Sequence, residues 1–373
     1  MNQHLVNHIF DHDKLGADSS EQLYWERKNL ELDWLRSIGA QIPQRSPHDY
    51  FDLIDFKRKA RVSLLLKNYS SLSQMTESCW ELSCNPAFNF TYQRFDLRPS
   101  SHEFNAYGNK QEVYPMFFTS SGMSAICSFF IALSQIFEGM FNLQGMPGRY
   151  FETTRLLAKL KINISDNNNH KIFQDKTVFK PESKYFLYLD TIAKHCPFDQ
   201  IQDSMLECNY AVIIDTTCES RQSEKLWNFI NRCINKSIPC VLIRSHLKLD
   251  SLGLEFARLG SIAFVLPHLL STERADLIRQ CIKTLPGVIA ETGATFLPSA
   301  LFPGWRSASF DPLNELRIHF IKKANSLVVQ YINETNSKLH ECIHLFWMKR
   351  VFFKQTWLKT YEFESGQYWK VYE

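Results

Sequence analysis

The stretch Val241-Leu-Ile-Arg-Ser-His-Leu-Lys248 joins a short apolar run to a polar end that carries a serine and a lysine. A continuous apolar run of this length is typical of a strand that is buried on both faces of a parallel sheet. In such sheets, ligands bind just beyond the carboxyl ends of the strands. The stretch therefore predicts a buried strand that delivers Ser245 and Lys248 to a functional site.

Similar apolar runs flank this one along the chain. Tyr185-Phe-Leu-Tyr-Leu-Asp190 and Ala211-Val-Ile-Ile-Asp215 each end in an acid, and Ile262-Ala-Phe-Val-Leu266 follows the lysine. A helical segment, Ser223 to Asn235, separates two of the runs. Strands that alternate with helices predict a mostly parallel sheet in a three-layer α/β fold, with site residues at the carboxyl ends of the strands.

Composition excludes several classes of function. The 42 basic and 39 acidic residues nearly cancel, so nucleic acid is not the expected partner. The N-terminus lacks the pattern of a signal peptide, and no apolar stretch approaches the roughly 18 residues that a membrane span needs. Ten cysteines without a CxxC pair indicate a reducing compartment. We expect a soluble, cytoplasmic protein.

Capping signals predict two N-terminal helices. A capping box, Ser19-Ser-Glu-Gln22, begins the first helix, which Gly39 ends. Ser46-Pro47 predicts the start of a second helix that reaches about Asn68. These two helices form a predicted N-terminal arm.

Length and turn residues predict how the chain divides. A chain of 373 residues exceeds the size at which a single core keeps growing. A helix is expected from Ser271 to about Thr284, Pro286-Gly287 then marks a boundary, and Leu316 to Phe320 is expected to be a strand. We therefore expect a helical arm and cross-subunit segment over 1–100, a large ligand-binding domain over 101–285 and a small α+β domain over 286–373.

The polar strand ends supply the parts of one kind of site. Lysine is a nucleophile when its surroundings lower its pKa or trap its product as a Schiff base. Asp215 ends a neighbouring apolar run, and Ser120-Ser-Gly-Met123 is a turn that leads into a long apolar helix whose first N–H groups favour phosphate. An acid, a lysine and a phosphate-binding turn are what pyridoxal phosphate (PLP) requires.

These residues resemble the motifs of the fold-type I PLP-dependent enzymes, and most closely the cystathionine synthase/lyase group of Cys/Met metabolism. Order and approximate spacing agree from about 90 to 260. The resembling motifs are Tyr92-Gln-Arg94, Ser121-Gly122-Met123, Tyr150, Asp215 and Ser245-His-Leu-Lys248. The resemblance implies an aminotransferase-like fold and PLP as the cofactor.

The resemblance also implies a role for each residue. Lys248 would carry the Schiff base and move the substrate's α-proton, Asp215 would pair with the pyridinium nitrogen, and Tyr150 would stack on the ring. The phosphate ligands would be Ser121, Gly122, Met123, Ser245, Arg258 and, from the neighbouring subunit, Tyr92 and Arg94. A cross-subunit site implies a homodimer or homotetramer. Arg317, in Leu-Arg-Ile-His, resembles the arginine that binds the substrate carboxylate.

Three departures from the family pattern leave the reaction open. Leu247 replaces a threonine before the lysine, the segment after Asp190 lacks the expected asparagine, and His319 replaces a serine. We expect α-proton removal from an amino acid followed by β- or γ-elimination or replacement. Transamination is the alternative, and a PLP-fold scaffold that has lost catalysis is another.

A competing motif lies near the C-terminus. His340-Glu-Cys-Ile-His344 spells HExxH, the zinc pattern of metallopeptidases, with Glu341 as the catalytic base. The apolar stripe of this segment, which includes Cys342 and Ile343, predicts instead that both histidines lie on the polar side of a helix. We therefore expect no metal site, and a metallopeptidase is the least favoured function.

Overall fold

The structure is a computed structural model that describes residues 18–73, 80–81, 87–88, 106–107, 113–138, 141–145, 149–166, 185–191, 198, 201–267, 271–296 and 300–335. The chain divides into two compact units, Met1–Ile318 and His319–Glu373. The described part of the second unit, residues 319–335, is helical. Within the described residues, no helix is both long enough and apolar enough to cross a membrane.

The described secondary structure contains eight α-helices and nine strands. The helices are α1 Asp18–Ser37, α2 Tyr50–Ser73, α3 Gly122–Ile136, α4 Phe151–Lys159, α5 Asp203–Glu207, α6 Glu224–Asn235, α7 Thr272–Glu291 and α8 Phe310–Thr335. The strands are β1 Trp80–Glu81, β2 Ala87–Phe88, β3 Val113–Thr119, β4 Asn142–Gly145, β5 Ile164–Asp166, β6 Tyr185–Asp190, β7 Ala211–Asp215, β8 Cys240–Ser245 and β9 Gly260–Val265.

Seven strands form one twisted sheet in the order β3-β9-β8-β7-β6-β4-β5. Strands β4 to β8 are parallel to one another, whereas β9 is antiparallel to both β8 and β3. The predicted α/β fold with a mostly parallel central sheet is therefore confirmed. Strands β1 and β2 pair separately as a short antiparallel ribbon.

Both faces of the sheet are buried, as unalternating apolar strands predict. One face carries Tyr188, Ile213 and Ile243, which share a core cluster with residues of α3 and α7. The intervening strand residues, such as Ile214 and Leu242, are also fully buried on the opposite face. Because successive strand side chains point to opposite faces, both faces must be covered.

Two of the predicted helix boundaries were wrong by a few residues. Helix α2 begins at Tyr50 because Asp49, and not Ser46, accepts a hydrogen bond from the N–H of Asp52 at 2.8 Å. Helix α7 continues through Pro286 to Glu291 and does not end near Thr284. The predicted domain division at residue 286 stays a prediction, and the helix crosses that point.

The predicted strand at residues 316–320 was wrong, because these residues belong to α8. Phe310, Leu313 and Leu316 are each fully buried, and this three-residue spacing is typical of one helix face. In the short segment Leu-Arg-Ile-His, apolar and polar residues alternate as they do in a strand, and the segment is too short to show the helical spacing. Sequence analysis missed three strands of this sheet, β3, β4 and β5. Strand β4 is largely polar, and β3 contains Pro115, which a strand at the sheet edge tolerates.

Candidate active site

Five of the strand termini meet at one edge of the sheet. Asp190 and Asp215 are register partners at the ends of β6 and β7. Gly260, the first residue of β9, pairs with Thr119 at the end of β3 and with Ser245 at the end of β8. The polar strand ends that the sequence predicted to converge therefore lie side by side.

The last residues of three strands also face the same side of the sheet. On β6, β7 and β8, the residue two positions before the last lies in the core that packs against α3. Because side chains two apart on a strand share a face, Asp190, Asp215 and Ser245 project towards the side of α3. The N-terminus of α3 is the next feature on that side.

The turn that begins α3 lies directly against the strand ends. Ser121 is the N-cap, and its hydroxyl accepts the N–H of Ser124 at 3.0 Å. A Cβ atom at Gly122 would lie 2.5 Å from Cβ of Ser245, and one at Gly260 would overlap the carbonyl group of Ser121. Glycine is required at both positions because backbone approaches backbone.

This turn leaves two N–H groups available to a ligand. Those of Gly122 and Met123 take part in no hydrogen bond within the described residues, whereas the N–H groups of Ser124 and Ala125 bond to Ser121. First-turn N–H groups and the helix dipole favour an anion at this point. Ser245, which is half-buried, lies beside them.

Asp215 is a buried acid without a cationic partner among the described residues. It is 5% exposed, and its Oδ1 accepts the N–H of Thr217 at 2.9 Å. Burial raises the pKa of Asp215, against the opposing effects of the Thr217 hydrogen bonds and of the Arg244 charge. An ionised carboxylate in such a place is stabilised only if a cation meets it.

Lys248 lies in the turn that follows β8 and is half-buried. Its charge acts on Cys218: burial and the charges of Asp190 and Asp215 raise the pKa of the Cys218 thiol, and Lys248 opposes them. Cys218 follows Asp215 closely, and its N–H donates to the hydroxyl of Thr191 at 3.0 Å. Lys248 and the two acids therefore act on the same thiol.

Tyr150 is tied to the same strand ends through its backbone. The N–H of Tyr150 donates to Oδ2 of Asp190 at 2.7 Å, which fixes the start of α4 at the end of β6. The Tyr150 ring lies 5.0 Å from the ring of Phe151. The predicted ring-stacking residue is thus placed at the edge, and its role stays a prediction.

A buried polar network that sequence analysis missed holds the lysine turn. Arg244 donates two 2.7 Å hydrogen bonds to Asp250, and His246 Nδ1 lies 2.6 Å from the same carboxylate. Burial alone would raise the pKa of Asp250, but the charge and hydrogen bonds of Arg244 hold it below its ordinary value. Because His246 and Asp250 bracket Lys248, the network fixes the ends of its turn.

The order Ser261, His246, Asp250 has the connectivity of a hydrolase triad, but its burial excludes a nucleophilic role. Burial lowers the pKa of His246, so the ring is neutral and its Nδ1–H donates to Asp250. Its Nε2 then accepts the Ser261 hydroxyl at 2.8 Å. Ser261 and Asp250 are both fully buried, so no substrate reaches the hydroxyl.

The remaining predicted residues lie in different places. Arg258 is exposed, two residues before Gly260 and therefore close to the edge. Arg317 lies on α8 and is buried against Gly253, where its charge interacts with Glu31. The predicted ligands Tyr92 and Arg94, and the motif residues His340, Glu341 and His344, lie outside the described residues. Among the described residues, no group of three or more His, Cys, Asp or Glu is arranged to hold a metal.

Comparison with known proteins gives matches to solved structures alone. No protein-family model matches the sequence. No curated protein matches it either.

Three solved structures illustrate the matches. A broad specificity aminotransferase from Leishmania mexicana is 13% identical, over 84% of this chain and 81% of that chain, with a TM-score of 0.46. An aromatic-amino-acid aminotransferase from Burkholderia pseudomallei, covalently bound to pyridoxal phosphate, is 12% identical over 59% of each chain, with a TM-score of 0.41. The metB structure from Corynebacterium glutamicum is 13% identical over 64% of this chain and 60% of that chain, with a TM-score of 0.40.

The matched part is often less than two thirds of the known chain's length. It covers 59% and 60% of the second and third structures, and 64% of another aromatic amino acid aminotransferase. We therefore argue the function from the residues of the chain itself.

Proposed function

We propose that the protein is a PLP-dependent enzyme that acts on an amino acid, with its site at the carboxyl edge of β6, β7 and β8. One observation carries the proposal. A buried acid without a described cationic partner (Asp215), a lysine in a fixed turn (Lys248) and a helix N-terminus with free N–H groups all lie at this edge. These groups match the three chemical parts of PLP, which are a pyridinium, an aldehyde and a phosphate.

The residues fit the cofactor on their own chemistry. A protonated pyridine nitrogen would supply the cation that Asp215 lacks among the described residues, and would reverse the rise in its pKa. Gly122 and Met123 offer backbone N–H groups to a phosphate, and Ser245 offers a hydroxyl. Ser121 contributes as the N-cap that shapes this turn. The exposed Arg258 is proposed as a further phosphate ligand.

When bound, PLP supplies an electron-withdrawing ring that acidifies the α-carbon of an amino acid. The chain's own residues would do the rest. The carboxylate of Asp215 would keep the ring nitrogen protonated, and the Nζ of Lys248 would take the proton from the α-carbon and return it. Arg244, His246 and Asp250 would keep the lysine turn in place while the proton moves.

Within this class, we propose β- or γ-elimination or replacement, which the resemblance of Tyr92-Gln-Arg94 favours. Transamination remains the second candidate, because the Arg258 and Arg317 patterns resemble those of aminotransferases. We also propose a homodimer or homotetramer, in which Tyr92 and Arg94 of one subunit complete the phosphate site of another. These finer statements rest on the resemblance.

A substrate panel tests the proposed reaction. The PLP-loaded protein is incubated with amino acids, O-acylated homoserines, cystathionine and S-adenosylmethionine, and the products are identified by mass spectrometry. Release of ammonia with a keto acid, or of a new thioether, supports elimination or replacement. A keto acid that forms only with an amino-group acceptor supports transamination. A PLP-loaded protein that converts none of them would indicate the scaffold alternative.

A further inference from the structure

A second cluster of charged residues lies in the first unit, on helices that the site described above does not use. Glu31 of α1 is fully buried, and its carboxylate accepts hydrogen bonds from Lys28 and Lys57, each at 3.1 Å. Arg27 Nε lies 3.7 Å from the same carboxylate. The charge of Arg317, on α8, acts on Glu31 as well. Four cationic side chains therefore surround one acid.

The cluster has more basic side chains than acidic ones among the described residues. Even without Arg27, the side chains of Lys28, Lys57 and Arg317 share the single carboxylate of Glu31. Burial lowers the pKa of all three cationic groups. An anion beside these groups would favour their charged forms and would raise each pKa back towards its ordinary value.

One side chain has a donor that is ready for such an anion. Arg317 is 8% exposed, and its Nη1 has no hydrogen-bond partner within the part of the chain that the structure describes. A guanidinium binds an oxyanion through two parallel N–H groups, so an unused buried donor indicates where an oxygen would bind. The side chain of Lys57, which is 17% exposed, is the most accessible of the cluster.

We propose that Lys28, Lys57 and Arg317 form a binding site for a small oxyanion, such as phosphate or a carboxylate, separate from the PLP site. The resemblance assigns Arg317 to the substrate carboxylate. Its described neighbours are Glu31, Arg27 and Gly253, none of which is assigned above to PLP, and this indicates a second anion. The proposal does not depend on PLP being the cofactor.

The proposed anion site contacts the segment that follows the catalytic lysine. Lys57 Nζ also donates to the carbonyl oxygen of Leu252 at 3.2 Å, and Arg317 packs on Gly253. Leu252 and Gly253 have φ angles of 52° and 74°, a conformation that is unfavourable for leucine. An anion that holds Lys57 and Arg317 would thereby stabilise the backbone that leads from Lys248 to Arg258.

The test measures phosphate binding by calorimetry at constant ionic strength, with chloride as the comparison. Wild type is expected to bind phosphate saturably with or without saturating PLP. Arg317→Gln and Lys57→Gln are each expected to weaken binding by about 10-fold or more, because each removes a charge-assisted hydrogen bond. Arg279→Gln, which alters an exposed arginine paired with Asp276, should bind as wild type does.

Two further measurements separate this site from the PLP site. Ser245→Ala should retain the phosphate binding that Arg317→Gln loses, whether or not PLP binds at all. Phosphate should also slow amide hydrogen exchange in residues 251–256 of wild type. Phosphate binding that is lost in Ser245→Ala but unchanged in both cluster variants would overturn the proposal, and so would the absence of any saturable binding above chloride. If Arg317→Gln does not fold, the loss of phosphate binding in Lys57→Gln is the test of the proposal.

Discussion

Replacing Asp215 by asparagine should stabilise the PLP-free protein and weaken the effect of PLP on stability. The ionised carboxylate is buried, and it accepts hydrogen bonds from both the N–H and the side chain of Thr217. Desolvation of a buried charge costs several kcal/mol, and the raised pKa of Asp215 shows that this cost exceeds the return from Thr217 and from the charge of Arg244. Asparagine keeps an oxygen that can accept from Thr217. We therefore expect Asp215→Asn to raise the free energy of unfolding by about 1 to 2 kcal/mol at neutral pH.

The effect should depend on pH in a defined direction. The folded-state pKa of Asp215 is raised above its ordinary value of 3.8, so the folded protein holds the proton more tightly than the unfolded chain does. For wild type, the favourable contribution of the protonated acid is therefore complete at low pH and is lost as the pH rises through the folded-state pKa. Asparagine does not titrate. The stability difference between variant and wild type should grow over that range and then level off.

The assay is urea denaturation of both proteins from pH 4, just above the ordinary pKa of 3.8, to pH 8, with and without PLP. Saturating PLP should stabilise wild type more than Asp215→Asn, and turnover by the variant should fall by orders of magnitude. Asp276→Asn, at an exposed surface position, is the matched control and should change little. If Asp215→Asn destabilised the PLP-free protein, or if PLP stabilised both proteins equally, Asp215 would be a structural acid and not a cofactor ligand.

Two other predictions concern the frame of the site. Gly260→Ala should lower stability by about 1 to 3 kcal/mol and weaken PLP binding, because its Cβ would displace the Ser121 carbonyl group. The matched control is Gly287→Ala in α7, where an added Cβ would have no neighbour within 4 Å, and it should raise stability by about 0.5 to 1 kcal/mol. If thermal denaturation showed the same effect for both glycine substitutions, the argument about Gly260 would be refuted. Asp250→Asn should cost about 3 to 5 kcal/mol because it leaves Arg244 as an uncompensated buried charge, and a loss under about 1 kcal/mol would show that the network is not needed.

The sequence predicted the parts of the site that depend on strand ends. Continuous apolar runs identify buried parallel strands, and their last residues must lie at one edge, so Asp190, Asp215 and Ser245 were found together. Ser-Gly pairs open many helices, so the Ser121-Gly122 turn was recognisable as a phosphate site only from its place in the order of the other motifs. These features are local, or follow from the geometry of a parallel sheet.

Features that depend on contacts between distant elements were missed. Arg244 and His246 share the Asp250 carboxylate because the chain turns at Lys248. The sequence does not show the shape of that turn, so these partners of Asp250 were not predictable. Gly260 carried a signal that went unused, since a glycine beside an apolar strand often marks a close backbone approach. The error at 316–320 arose because alternation over five residues is compatible with either a strand or a helix.

The most direct test of the central claim is to find where PLP becomes attached. The protein is incubated with PLP, reduced with borohydride and digested, and the labelled peptide is identified by mass spectrometry. We predict a violet-absorbing protein labelled on Lys248, with absorbance and label both lost in Lys248→Ala and both retained in Lys236→Ala, which alters a lysine paired with Asp203 and Glu207. A colourless protein, or label spread over several lysines and unchanged in Lys248→Ala, would contradict the account.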